Sequence, residues 1–163
     1  MTRRAFYSFE YLKDNWRASQ VRQMGVIEGN INAISNEWEE VALKTDAAIK
    51  KWIDGQMTGK GVVIVLIGAS TSGRKYIDYE IETGWNAGKG LLGVHVHNLK
   101  DSDGKQTAKG ANPFAHFRMQ NDKRLSDYAA VYDPPYSDSK AVYKYINDNL
   151  PSWIEAAVNA RKS

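Results

Sequence analysis

Gly61-Val62-Val63-Ile64-Val65-Leu66-Ile67-Gly68 is an unbroken apolar run, mostly β-branched and closed by glycine at each end. Such a run predicts a strand buried on both faces, the mark of a central parallel strand. Working outward, Gly90-Leu91-Leu92-Gly93-Val94-His95-Val96 predicts a second strand of this kind. Residues 5–9 predict a shorter strand near the start. Residues 128–132, stopped by Asp133-Pro134-Pro135, predict another, and Gly25-Val26-Ile27 a further short one. Between the strands the spacing turns helical. Residues 38–53 carry Trp38, Val41, Ala42, Ala48, Ile49, Trp52 and Ile53, with Gly55 as the expected stop. Residues 74–87 carry Ile77, Ile81, Gly84 and Trp85 on one face, with Gly88 as the cap. Residues 139–150 and 152–160 predict two closing helices separated at Pro151. Strands alternating with helices make βαβ units. The expected class is therefore α/β, a mostly parallel central sheet flanked by helices on both faces. Trp38, Trp52 and Trp85 fall at positions expected to face that sheet.

Composition narrows the function. The chain has 163 residues, which suits one domain over 1–163. A chain of this length buries enough surface to fold without a staple. It has no Cys, which excludes zinc fingers, thiol nucleophiles and disulfide scaffolds and fits a reducing, cytoplasmic setting. Lys and Arg number 22 against 19 Asp and Glu, a net charge of +3 without a dense basic tract, so nucleic-acid binding is not expected. The longest apolar run is far short of the ~20 residues a membrane helix needs, and residues 1–9 lack a signal-peptide pattern. Residues 98–127 are polar and aperiodic, a long loop of the functional or mobile kind.

In open α/β sheets the ligand site lies beyond the carboxyl ends of the strands, where strand order reverses. If the first strand and the Val62 strand are neighbours, the loop Ser8-Phe9-Glu10-Tyr11 meets the loop Gly68-Ala69-Ser70-Thr71-Ser72-Gly73 there. Hydroxyls and free amides at a helix N-terminus suit a phosphate or pyrophosphate. An ordinary capped strand-to-helix turn fits the same residues. Tyr76 and Glu80 lie one turn apart on the next helix. A carboxylate there suits an oxocarbenium-like ribosyl cation, shielded by the aromatic ring. On spacing alone the pair reads first as a solvated face, because Asp78 and Glu82 are acidic neighbours. His95 and His97 alternate on one strand and point to one face. Without a third ligand nearer than His116, a core or edge pair is the better reading than a metal site. Arg17 and Arg22, with Trp16, suit surface ion pairs, and phosphate contacts second.

A resemblance adds to this. Phe6-Tyr7-Ser8-Phe9-Glu10-Tyr11, Arg17, Val21-Arg22, Trp38-Glu39, Leu43-Lys44-Thr45 and Ile49-Lys50-Lys51-Trp52-Ile53 carry it in the first third of the chain. Val65-Leu66-Ile67-Gly68, Thr71, Arg74, Tyr79-Glu80-Ile81, Gly88-Lys89-Gly90, Gly93-Val94-His95 and Lys109-Gly110-Ala111-Asn112-Pro113-Phe114 continue it. In order and spacing these resemble the bacterial TIR-like domain family, which includes the sensor subunit of Thoeris anti-phage defence. The likeness covers roughly residues 5–117. It implies a flavodoxin-like TIR fold and an enzyme that cleaves NAD⁺ at its N-glycosidic bond, releasing nicotinamide. It also implies that the ADP-ribose moiety becomes a cyclic or conjugated messenger for a separate effector.

By the same resemblance Glu80 is the catalytic carboxylate, and Ser8, Phe9, Glu10, Ser70, Thr71 and Tyr76 line the substrate pocket. NAD⁺ is then a substrate, and neither cofactor nor metal is implied. A phage-derived trigger and a homo-oligomer are the other expected partners. Tyr76 stands where TIR domains commonly carry Trp, and Glu10 where His is frequent. A carboxylate beside a pyrophosphate is unfavourable unless it turns away or meets the nicotinamide cation. Nicotinamide is a good leaving group, so one well-placed carboxylate can suffice. The alternative from another class is a TIR-like protein-interaction module without catalysis, since fold alone confers no chemistry. A nucleoside N-glycosidase relative is a third.

Overall fold

In a computed structural model, residues 3–24, 27–28 and 44–162 are described. Along the chain they form β1 (Arg3–Ser8), α1 (Tyr11–Arg22), β2 (Ile27–Glu28), α2 (Asp46–Met57) and β3 (Val62–Ile67). There follow α3 (Lys75–Asn86), β4 (Gly90–His95), β5 (Ala130–Tyr132) and α4 (Ser139–Lys162). The strands lie in the order β2-β1-β3-β4-β5, and every neighbouring pair is parallel. This is the flavodoxin-like order, and its reversal point falls between β1 and β3.

β3 occupies the centre, and all six of its side chains are fully buried. Strand alternation splits them between two cores. Val62, Ile64 and Leu66 join Ala5, Tyr7, Leu92 and Val94 under α1 and α4. Val63, Val65 and Ile67 join Phe6 and Leu91 under α2 and α3. Each such burial stabilises the fold by about 1.5–3 kcal/mol relative to exposure, which is why a run apolar on both faces takes the central position.

Several expectations change in detail. α2 does not stop at Gly55 but runs to Met57, because Ile49, Ile53 and Met57 at spacing i, i+4, i+8 are all buried. A Cβ on Gly55 would touch nothing, so this glycine faces open space. Its helix cost of about 1 kcal/mol is outweighed by those three contacts. The chain turns two residues later at Gly59, whose φ is +79°. The two closing helices are one helix, α4, with Pro151 inside it. Proline removes one hydrogen bond at a cost of ~3 kcal/mol. The stripe Val142, Ile146, Leu150, Trp153, Ile154 and Val158 offsets that by staying buried on both sides of it.

β5 is shorter than expected, because residues 125–127 coil into a 3-10 turn before it. Trp52 and Trp85 sit at the margin of the core, and Trp85 carries the Arg161 guanidinium 3.4 Å above its ring. Trp38, Val41, Ala42, Gly25 and Val26 lie outside the described residues. The 98–127 loop is tied down by buried Leu99, Phe114 and Leu125. No described helix is long and apolar enough to cross a membrane.

Candidate functional site

Ser8 ends β1 opposite Val65 of β3, and alternation turns its side chain toward the α2/α3 face, like Phe6. α3 leaves the end of β3 and lies close on the sheet. A Cβ on its Gly84 would stand 2.6 Å from Val63 Cγ2, so glycine there permits the approach. Glu80 is thereby brought over the end of β1, and Ser8 Oγ donates a 2.6 Å hydrogen bond to Glu80 Oε1. Both residues are buried. Burial pushes the Glu80 carboxyl up to about 8, and the Ser8 hydrogen bond draws it partly back.

The two loops do meet at the reversal point, through a second cluster. Arg74, the residue before α3, pairs with Glu10 Oε1, and Ser70 Oγ donates to Glu10 Oε2 at 2.6 Å. Lys13 Nζ in turn donates to Ser70 Oγ at 3.2 Å. Glu10 is almost wholly buried, while the Arg74 side chain is 47% exposed. Burial acts most strongly on Glu10 and favours the neutral form. The hydrogen bonds from Arg74 and Ser70, with the charges of Arg74 and Lys13, together outweigh it and hold the pKa below the ordinary glutamate value. The carboxylate at position 10 is therefore charge-paired within the protein.

The remaining candidates occupy different places. Thr71 is fully buried and accepts the Gly68 N–H at 2.8 Å, closing the turn after β3. Tyr76 donates to Asp46 Oδ1 at 2.9 Å, and Lys75 Nζ lies 2.8 Å from the same oxygen, so the first turns of α2 and α3 are joined there. Phe9 turns to the other side of the sheet and packs against the α1/α4 core. Ser8 and Glu80 are thus brought together, as are Glu10 and Ser70, whereas Phe9 packs on the opposite core and Tyr76 is bonded to Asp46.

Arg17 is not a surface residue. Its Nη1 contacts Asp14 Oδ1 at 3.0 Å, and its Nε and Nη2 donate to the carbonyls of Leu99 and Lys105, each at 2.8 Å. It therefore pins the long loop to α1. His95 and His97 are buried with ring centroids 5.6 Å apart. Burial lowers the His95 pKa to about 4, Asp133 working against the shift. Among the described residues no group of three or more His, Asp or Glu side chains could hold a metal ion. A cleft of about 640 Å³ lies between α3 and the 117–125 turn, lined by Trp85, Phe117, Met119 and Leu125 among others. It shares no residue with the Ser8–Glu80 pair or the Glu10 cluster.

Sequence reasoning missed the structural partners in this site: Arg74 as the counter-ion of Glu10, Asp46 as the anchor of Tyr76, and Asp14 as the partner of Arg17. The first two pairs are separated by 64 and 30 positions, so no local pattern announces them. Asp14 and Arg17 are spaced i, i+3 and were detectable as a helical pair, though not as a buried one.

A family model described as the TIR-like domain of the Thoeris protein ThsB matches residues 6–101, which include Ser8, Glu10, Arg74 and Glu80. A protein of Bacillus cereus (strain MSX-D12) named "Putative cyclic ADP-D-ribose synthase ThsB1" is 33% identical over 125 residues. The match covers 74% of this chain and 65% of that protein, so the chain spans a little under two thirds of the relative's length. Order of strands, reversal point and sequence agree: the chain belongs to the ThsB family of Thoeris TIR-like domains.

Proposed function

We propose that this protein cleaves the bond between nicotinamide and ribose in NAD⁺ and turns the ADP-ribose moiety into a cyclic or conjugated messenger for a separate effector in anti-phage defence. The observation that carries the reading is Glu80, a buried carboxyl with a raised pKa at the carboxyl end of the sheet, beside the β1/β3 reversal point. The printed name of the relative, a cyclic ADP-ribose synthase, supports the choice of substrate.

In this mechanism the C1′–N bond breaks and its electron pair leaves on nicotinamide, which becomes neutral. Positive charge develops on the ribosyl C1′ and O4′. The ionised Glu80 stabilises that charge, and the low-dielectric surroundings strengthen the effect. A hydroxyl or ring nitrogen of the same molecule, or a second acceptor, then attacks C1′. Where the acceptor bears a proton, Glu80 accepts it, a role its raised pKa suits near neutral pH. In this reading the exposed part of the Arg74 guanidinium, with Lys13 and Ser70 beside it, holds the diphosphate.

The test is incubation of the purified protein with NAD⁺, alone and with lysate from phage-infected cells, followed by mass spectrometry of the nucleotides. Nicotinamide release with a cyclic or conjugated ADP-ribose product is expected, and Glu80→Gln should abolish it. Equal turnover by Glu80→Gln would exclude Glu80 as the catalytic group. NAD⁺ left intact under every condition would favour a non-catalytic interaction module.

A further inference from the structure

We propose that Ser8 is a positioning residue for Glu80: its hydroxyl, presented from the end of β1, holds one carboxylate oxygen and leaves the other for the reacting ribose. The proposal rests on the reading of Glu80 as the catalytic carboxylate. The resemblance puts Ser8 in the lining of the substrate pocket, and its hydrogen bond to Glu80 gives it a further task there. It is fully buried, and its Oγ stands 2.6 Å from Glu80 Oε1. The strand that carries it is fixed in register on β3, with Ser8 opposite Val65.

A glutamate on a helix has three side-chain torsions to restrain, and a misplaced catalytic group loses much of its effect. One short hydrogen bond from a strand paired in register within the sheet supplies the restraint. The same bond acts on protonation. A donor to a carboxylate favours the ionised form, and the ionised form is the one that stabilises a cation. Burial and Ser8 are the two influences on Glu80. Among the charged groups of the adjoining elements, Glu10 pairs with Arg74, Asp46 with Lys75 and Lys50, and Asp78 with His116. Ser8 is therefore the group that sets how far burial can suppress ionisation of Glu80.

Ser8→Ala removes the hydroxyl without adding bulk, and Ser8→Thr restores it. Two readouts are compared in the full chain. One is the titration of the Glu80 carboxyl carbon by ¹³C NMR, and the other is the pH profile of kcat/KM for nicotinamide release from NAD⁺. In Ser8→Ala the Glu80 titration should move to higher pH, with the rising limb of kcat/KM moving alongside it. kcat at pH 7 should fall about 10- to 100-fold, as expected for one hydrogen bond to a charged group, with KM nearly unchanged. Ser8→Thr should return both towards wild type.

A Glu80 titration that superimposes in wild type and Ser8→Ala overturns the proposal, whatever the activity. So does a shifted titration that leaves the pH–rate profile in place, since the hydroxyl would then be structural only. If the titration shifts but neither wild type nor variant cleaves NAD⁺, the control of Glu80 by Ser8 stands and the NAD⁺ reading fails.

Discussion

A Cβ placed on Gly110 would stand 2.0 Å from the carbonyl oxygen of Gly68. On the other flank of Gly68, a Cβ of its own would meet Asp14 Oδ2 at 2.0 Å. Gly68, the residue that follows β3, is thus pressed between α1 and the long loop, and both contacts require glycine. Through this contact, residues 109–111 lie across the carboxyl end of the central strand, beside the candidate site.

Gly110→Ala should therefore be costly, because the atoms it meets are backbone and cannot swing aside. The expected loss is about 3 kcal/mol, or roughly 10 °C in Tm for a chain of this size. Thermal unfolding measures it. NAD⁺ turnover should fall as well, since the loop must move off Gly68.

Glu80→Gln should trade activity for stability. The folded carboxyl titrates at about 8 and the unfolded one near its ordinary 4.5. Between those values the unfolded chain binds fewer protons, so stability falls as pH rises through the window and levels off above it. Glutamine carries no such penalty. The variant should be more stable than wild type at pH 8 by about 2 kcal/mol or more, with the gap closing near pH 4.5. Denaturant unfolding at several pH values gives the comparison.

Arg17→Ala should destabilise severely, by about 3–5 kcal/mol, because it leaves Asp14 buried without its cation. Asp14 already has one oxygen, Oδ2, without a hydrogen-bond partner. The double variant Arg17→Met with Asp14→Asn should recover part of the loss, since no charge is then buried. It should still leave the 99–105 segment more open to hydrogen exchange, because the bonds to Leu99 and Lys105 are gone.

His95 makes the fold sensitive to acid in the opposite sense to Glu80. Its folded pKa is lowered from 6.5 to about 4 by burial. As pH falls through that window the unfolded chain takes up a proton that the folded one refuses, and stability declines. His95→Gln should flatten the loss between pH 6.5 and 4 while leaving stability at pH 8 governed by packing. A wild-type pH–stability curve that matches the variant's in this window would show that His95 is not the group responsible.

The alternation of apolar runs with helical spacing made β3, β4 and α3 legible, and their predicted bounds differ from the observed ones by a residue or so. These are local patterns, set by which side chains must leave water. Gly55 and Pro151 misled for a related reason: both are local breakers, and their cost was overruled by buried stripes reaching across them. For the site, the types of group were legible, a carboxylate on a helix and hydroxyl-bearing loops at strand ends, but their partners were not.

What the sequence determined alone is the class of sheet, the centrality of residues 62–67 and the supply of chemistry near 8–10 and 68–80. What the tertiary structure decided is pairing: Ser8 with Glu80, Glu10 with Arg74, Gly68 with Gly110. Each pair joins residues 42 or more positions apart along the chain. They meet because β1, β3 and β4 run parallel side by side, which places the loops after all three strands at one end of the sheet. Hydrophobic burial is written into the composition of each segment, whereas a hydrogen bond between distant segments exists only once the strands have chosen their neighbours.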